Sequence, residues 1–165
     1  MSLLPRSRQI LGLAISVALA LVAAGFGAVA SVEAASFYAT LARPAWAPPA
    51  WLFGPAWSFL YLSMAFAAWL VWRDGGLAAR RVPLALYLAQ LAVNALWSWL
   101  FFAWHLGGVA CGDIAVLWVL ITATLLGFWR VRPLAGALLV PYLAWVTFAA
   151  ALCYRTWKLN PAVFS

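Results

Sequence analysis

Five long apolar runs dominate the chain, separated by short clusters rich in Gly, Pro and Arg. None of the runs alternates with the period of a strand. A helix that crosses a bilayer needs about 20 apolar residues at 1.5 Å each. The pattern predicts such helices over residues 9–30, 53–72, 83–104, 109–129 and 134–157. Arg73-Asp74-Gly75-Gly76 stops the second run, because Gly readily takes the conformation that ends a helix. His105-Leu106-Gly107-Gly108 and Arg130 to Pro133 make the next two turns. The predicted fold class is all-α: one domain built as an integral membrane bundle of five transmembrane helices. A single long loop, residues 31–52, joins the first two.

Composition excludes a soluble alternative. Of 165 residues, 68% are hydrophobic and only 8% charged, and the mean hydropathy is +1.02. A soluble domain of this size cannot hide so much apolar surface. The first run also has the form of a signal peptide, with Arg6 and Arg8 before it and small residues around Ala28, Ala30, Ala34 and Ala35. Two features favour a retained span. The run is long for a signal, and Ser16, Ala20, Ala24 and Ala28 recur every fourth residue, which gives one face for close helix packing.

The net charge is +7, from ten Lys and Arg against three acids. Seven cations (Arg6, Arg8, Arg73, Arg80, Arg81, Arg130 and Arg132) fall on one side of a five-span chain. Arg43, Arg155 and Lys158 fall on the other. This asymmetry predicts a cytoplasmic N-terminus, with residues 31–52 facing the opposite compartment. No basic patch is clustered enough to bind nucleic acid. Cys111 and Cys153 lie within spans, show no metal spacing and read as small apolar residues.

Polar and proline residues inside such runs are the candidate chemistry, since a polar group in hydrocarbon needs a partner or a cavity. Gln90 and Asn94 sit one turn apart in the third span, with Trp97 and Phe101 on the same face. They serve either as interhelical hydrogen-bonding groups or as a pocket wall of two amides and two aromatic faces. Trp57 and Tyr61 are paired at i, i+4 in the second span. An interfacial aromatic belt accounts for Trp46, Trp51, Trp69 and Trp72. It accounts less well for Tyr61, over a turn inside the span. Pro141-Tyr142, with Trp145 and Phe148, predicts a bend beside an aromatic pair in the fifth span. Asp113 is read as a helix cap or structural hydrogen-bonding group. His105 is a lone solvated turn residue, and no metal site is expected. No catalytic triad, paired carboxylates, phosphate cradle or CxxC appears. A flat, largely apolar aromatic ligand fits this inventory best.

From Arg43 to Trp57 the chain carries four prolines and three tryptophans in fifteen residues. These residues carry a resemblance to the translocator protein family, also called tryptophan-rich sensory proteins or peripheral-type benzodiazepine receptors. The matching motifs are Arg43-Pro44-Ala45-Trp46-Ala47-Pro48-Pro49-Ala50-Trp51, and then Gly54-Pro55-Ala56-Trp57 with Leu60-Tyr61. Gln90-Leu91 with Asn94 and Trp97, and Pro141-Tyr142-Leu143-Ala144-Trp145, complete the match over Phe37 to Asn160.

The resemblance implies a five-helix bundle, a homodimer, and a pocket closed by the first loop that takes porphyrins such as protoporphyrin IX, with no required cofactor. Benzodiazepine-type drugs, and in some members cholesterol, are further family ligands. As a bacterial member the protein sits in the inner or outer membrane. The expected pocket lies between spans two, three and five, with Trp46, Trp51, Trp57, Tyr61, Gln90, Asn94, Trp97, Tyr142 and Trp145 as ligand-binding residues. If light-dependent porphyrin breakdown occurs, Trp57 and Trp145 are the reacting partners. Leu152, Tyr154 and Lys158 satisfy a proposed sterol pattern, which is weak by nature. Cys153 follows Leu152 where the family usually has Asn. Transport of a lipophilic metabolite and a stress-sensing accessory role are the alternative functions. The prolines suit a stiff lid, since a pre-ordered loop loses little entropy on binding.

Overall fold

The computed structural model describes residues 4–164. Helices α1 (Arg6–Ala30), α3 (Phe53–Trp72), α4 (Gly76–Ser98), α5 (Gly107–Val131) and α7 (Val140–Leu159) form the bundle, with short helices α2 (Ala34–Thr40) and α6 (Pro133–Ala137) between them. Among the described residues, five helical segments are long and apolar enough to cross a membrane: α1; α3 with the 3-10 turn before it; α4 with the turn after it; α5; and α6 with α7. Each lies close to a predicted span.

Three details correct the reading from sequence. Residues 31–52 are not one loop. They hold α2 and a 3-10 turn at Ala50–Leu52, and neither is long enough for an apolar period to show. Helix α4 begins at Gly76, before the predicted start, and kinks at Arg80 (φ −124°). Pro83 has no N–H for the carbonyl one turn earlier and its ring crowds that carbonyl, which accounts for the kink. The bend expected at Pro141 takes the form of a two-residue interruption, Leu138 and Leu139, between α6 and α7. Pro141 sits in the first turn of α7, where its missing N–H is harmless. Leu138, in the interruption, has its carbonyl satisfied by the Ser63 hydroxyl of α3 at 2.8 Å.

Small residues let α1 approach the bundle. Gly12, Ser16, Ala20 and Gly27 are buried, and the Trp72 indole fills the space a Gly12 side chain would need. The centre of the bundle is Met64, Val71, Tyr87, Leu117, Phe128 and Tyr142, all essentially unexposed. At one end, the Leu4 amide donates to the Arg73 carbonyl at 3.1 Å, and Arg132 pairs with Asp74 at 3.2 Å. The opposite end gathers α2, the proline segment, the His105 turn and the C-terminal tail. His105 takes a left-handed conformation (φ 54°), and Phe37 stacks on its ring with centroids 4.3 Å apart. Just before it, Trp99–Ala103 forms a π-helical turn that swings Phe101 and Phe102 toward α2 and the tail.

Candidate functional site

Bounded by α2 and by Ala50, which flank the proline segment, lies a cavity of about 590 Å³, inside the range of small-molecule sites. Trp57 and Tyr61 of α3, Asn94 and Trp97 of α4, and Trp145 of α7 line it, as the sequence leads one to expect. The rings fall into three groups around Trp57, Trp97 and Trp145. Trp57 lies 5.7 Å from Tyr61, Trp97 stacks on Phe101 at 5.1 Å, and Trp145 sits between Phe53 at 5.9 Å and Phe148 at 5.8 Å. The indole N–H groups of Trp97 and Trp145 are covered and have no hydrogen-bond partner among the described residues.

The site is wider than spans two, three and five. Helix α1 contributes Ala20, Ala24, Gly27 and Ala28, and α2 contributes Tyr38. The four-residue spacing of small side chains therefore serves two purposes. Ser16 is buried in helix packing, whereas Ala20, Ala24 and Ala28 border the cavity without filling it.

Four expected ligand-binding residues do not line the cavity. Gln90 and Tyr142 lie behind its wall. Tyr142 donates its hydroxyl to Gln90 Oε1 at 2.8 Å and accepts from Asn94 Nδ2 at 3.0 Å. Tyr61 completes the chain by donating to Asn94 Oδ1 at 2.6 Å. The amides thus act both as interhelical glue and, through Asn94 alone, as a polar point on the cavity surface. Trp46 packs its edge on Phe148, at 5.6 Å, and Trp51 is 70% exposed. Both sit outside the cavity, as interfacial tryptophans do.

Other groups hold the proline segment. The Tyr38 hydroxyl donates to the Pro48 carbonyl at 3.2 Å, and the Arg43 guanidinium lies 4.7 Å from the centre of the Tyr38 ring. Burial pushes the Tyr38 phenol above its ordinary pKa, and Arg43 offsets part of that rise. Asn160, at the end of α7, clasps Ala42 from both sides. Its Oδ1 accepts from the Ala42 amide at 2.8 Å and its Nδ2 donates to the Ala42 carbonyl at 2.8 Å. Tyr38 and Asn160 gave no signal in the sequence beyond lying near the motif. Two such bonds are worth about 1–3 kcal/mol together. Asn160→Ala is therefore expected to speed hydrogen exchange across residues 41–49 by about tenfold or more, read by mass spectrometry. Unchanged exchange there means the clasp does not hold the segment.

Two smaller expectations also change. Asp113 makes no side-chain cap; its Oδ2 is buried and unpartnered among the described residues. Leu152 is buried and lines the cavity, whereas Tyr154 is half-exposed and packs with Lys158 and Trp157. The three residues of the sterol pattern do not share one surface.

Comparison with known proteins decides the lineage. The TspO/MBR family matches residues 14–158. This chain belongs to the TspO/MBR family. It is 41% identical over 130 residues to the human translocator protein, covering 78% of this chain and 77% of that one. It is 38% identical over 160 residues to the tryptophan-rich protein TspO of Chlorobaculum tepidum, covering 94% and 99%. It is 42% identical over 132 residues to protein CrtK of Rhodobacter capsulatus, covering 76% and 79%. Family membership and the five apolar helices make this chain an integral membrane protein of translocator type.

Proposed function

We propose that this protein is a membrane receptor for porphyrins of the protoporphyrin IX type, held in the cavity bounded by α2 and Ala50. One observation carries the reading: an apolar cavity of about 590 Å³ bounded by three indoles and one amide. A porphyrin is a broad aromatic plane with a few polar edge groups. Its plane stacks on Trp57, Trp97 and Trp145, and its edge meets Asn94. Illumination makes the bound porphyrin the reactive group. Trp57 and Trp145 are the indoles proposed to exchange an electron with it.

The relatives' names point to translocation in one case and sensing in another, and ligand binding is a step common to both. The deciding experiment is a titration of the protein in nanodiscs with protoporphyrin IX in the dark, following tryptophan quenching and porphyrin absorbance. Each aromatic contact contributes about 0.5–1.5 kcal/mol. The Trp57→Phe/Trp145→Phe double variant is therefore expected to bind about tenfold more weakly. Binding no better than to empty nanodiscs rejects the porphyrin reading and brings forward the carrier for a lipophilic metabolite, tested by flux across vesicles.

A further inference from the structure

The wall of the cavity carries a second chemistry that the aromatic residues do not use. Cys153 of α7 is buried and lines the cavity. Cys111 lies in the second turn of α5 and is half-buried. Their sulfurs are in hydrogen-bond contact at 3.1 Å, although 42 residues separate them in the chain, and both thiols are free. The packing of α5 on α7 brings them together. Around them the wall is apolar, with Leu100, Phe101, Ala110 and Phe164 in the same cluster.

Two cysteines serving only as small apolar side chains have no need to meet. Two thiols in contact across different helices have a reaction open to them. A bonded sulfur pair is about 2.05 Å apart, so these sulfurs must close by about 1 Å.

We infer that Cys111 and Cys153 form a reversible dithiol–disulfide couple, oxidised by hydroperoxides that reach the pair. Cys111 is the sulfur that reacts first, because it is half-buried, whereas a thiolate is costly at Cys153 in its apolar wall. As the thiolate it attacks the terminal oxygen of the hydroperoxide, and the O–O bond breaks. The leaving alkoxide takes up the proton the thiol gave up, and Cys111 becomes a sulfenic acid. The Cys153 sulfur then attacks the Cys111 sulfur, the S–O bond breaks, and water leaves with the Cys153 proton. One hydroperoxide is reduced to an alcohol and water while two thiols become one disulfide. The bond ties α5 to α7 at the end of the bundle that holds the proline segment, and a dithiol reductant reverses it. Neither step uses a bound porphyrin, so the inference stands apart from the ligand reading.

The test uses the full-length protein, purified reduced, in nanodiscs and in the dark. It is treated with tert-butyl hydroperoxide, then unfolded in SDS and alkylated with iodoacetamide. The expected result is a monomer on a non-reducing gel in which neither cysteine is alkylated. A cross-linked peptide joining Cys111 to Cys153 should appear, and dithiothreitol should restore alkylation of both. In Cys153→Ser, Cys111 should instead accumulate as a sulfenic acid trapped by dimedone, with a several-fold higher yield than in the wild type. The inference is overturned if both thiols stay alkylatable after peroxide. It is equally overturned if they go to sulfinic acid that reductant cannot reverse, or if the disulfide joins two chains.

Discussion

Ala24→Phe should abolish saturable binding of protoporphyrin IX, lowering affinity by about a hundredfold or more, while the fold is kept. Ala24 is only half-buried, and its side chain faces the cavity from α1. A phenyl ring there grows into open volume. It avoids the overpacking cost of about 1–3 kcal/mol that the same change brings in a filled core. The ligand, in contrast, loses the space its plane requires, and a hundredfold loss is about 2.7 kcal/mol. Nanodisc titration gives the affinity, and thermal unfolding in the same preparation shows whether the bundle is intact. Wild-type affinity in a folded Ala24→Phe protein would place the ligand elsewhere.

A second large effect is expected behind the wall. Asn94→Leu keeps the volume of the side chain and removes its amide. Tyr61 then loses the acceptor it holds at 2.6 Å, and Tyr142 loses a donor at 3.0 Å. Hydrogen bonds between membrane helices average about 0.6 kcal/mol each, whereas leaving a covered hydroxyl unpaired costs about 1–3 kcal/mol. The second figure governs here, because Asn94 is buried and joins two tyrosines on different helices. A loss of about 1–3 kcal/mol is expected in reversible unfolding in detergent. Tyr142→Phe should show part of the same loss, and the double variant should cost less than the two singles added together, as members of one network do. Additive losses, or a gain in stability for Asn94→Leu, would show that the network does not act as a unit.

Parts of this architecture were plain in the sequence and parts were silent, for physical reasons. Hydropathy alone marks five spans, because hydrocarbon tolerates little else. Gln90 and Asn94 stand out for the same reason. What hydropathy cannot say is what an alanine touches. Ala67 is buried in the core and Ala24 borders a cavity, yet the two look alike in the chain. Tryptophan misleads in the opposite direction. Trp46 and Trp51 belong to the same motif as Trp57, but only Trp57 reaches the cavity, because an indole serves an interface as well as a binding site. Helix α2 escaped notice because seven residues span too few turns for a period. The contact between Cys111 and Cys153 depends wholly on how α5 meets α7, which no local pattern encodes.

The Asn160 clasp has a consequence for how fast anything leaves the cavity. The same Nδ2 that holds the Ala42 carbonyl also donates to the Thr156 carbonyl at 2.7 Å, inside the last turn of α7. Proline segment and helix end thus share one fastener. Lifting the segment leaves Asn160 half-paired and invites that final turn to fray, and fraying of the turn frees the segment. Escape is then timed by an unwinding helix end as much as by a swinging loop, and its rate should follow helix stability, slowing in conditions that stiffen the terminus of α7.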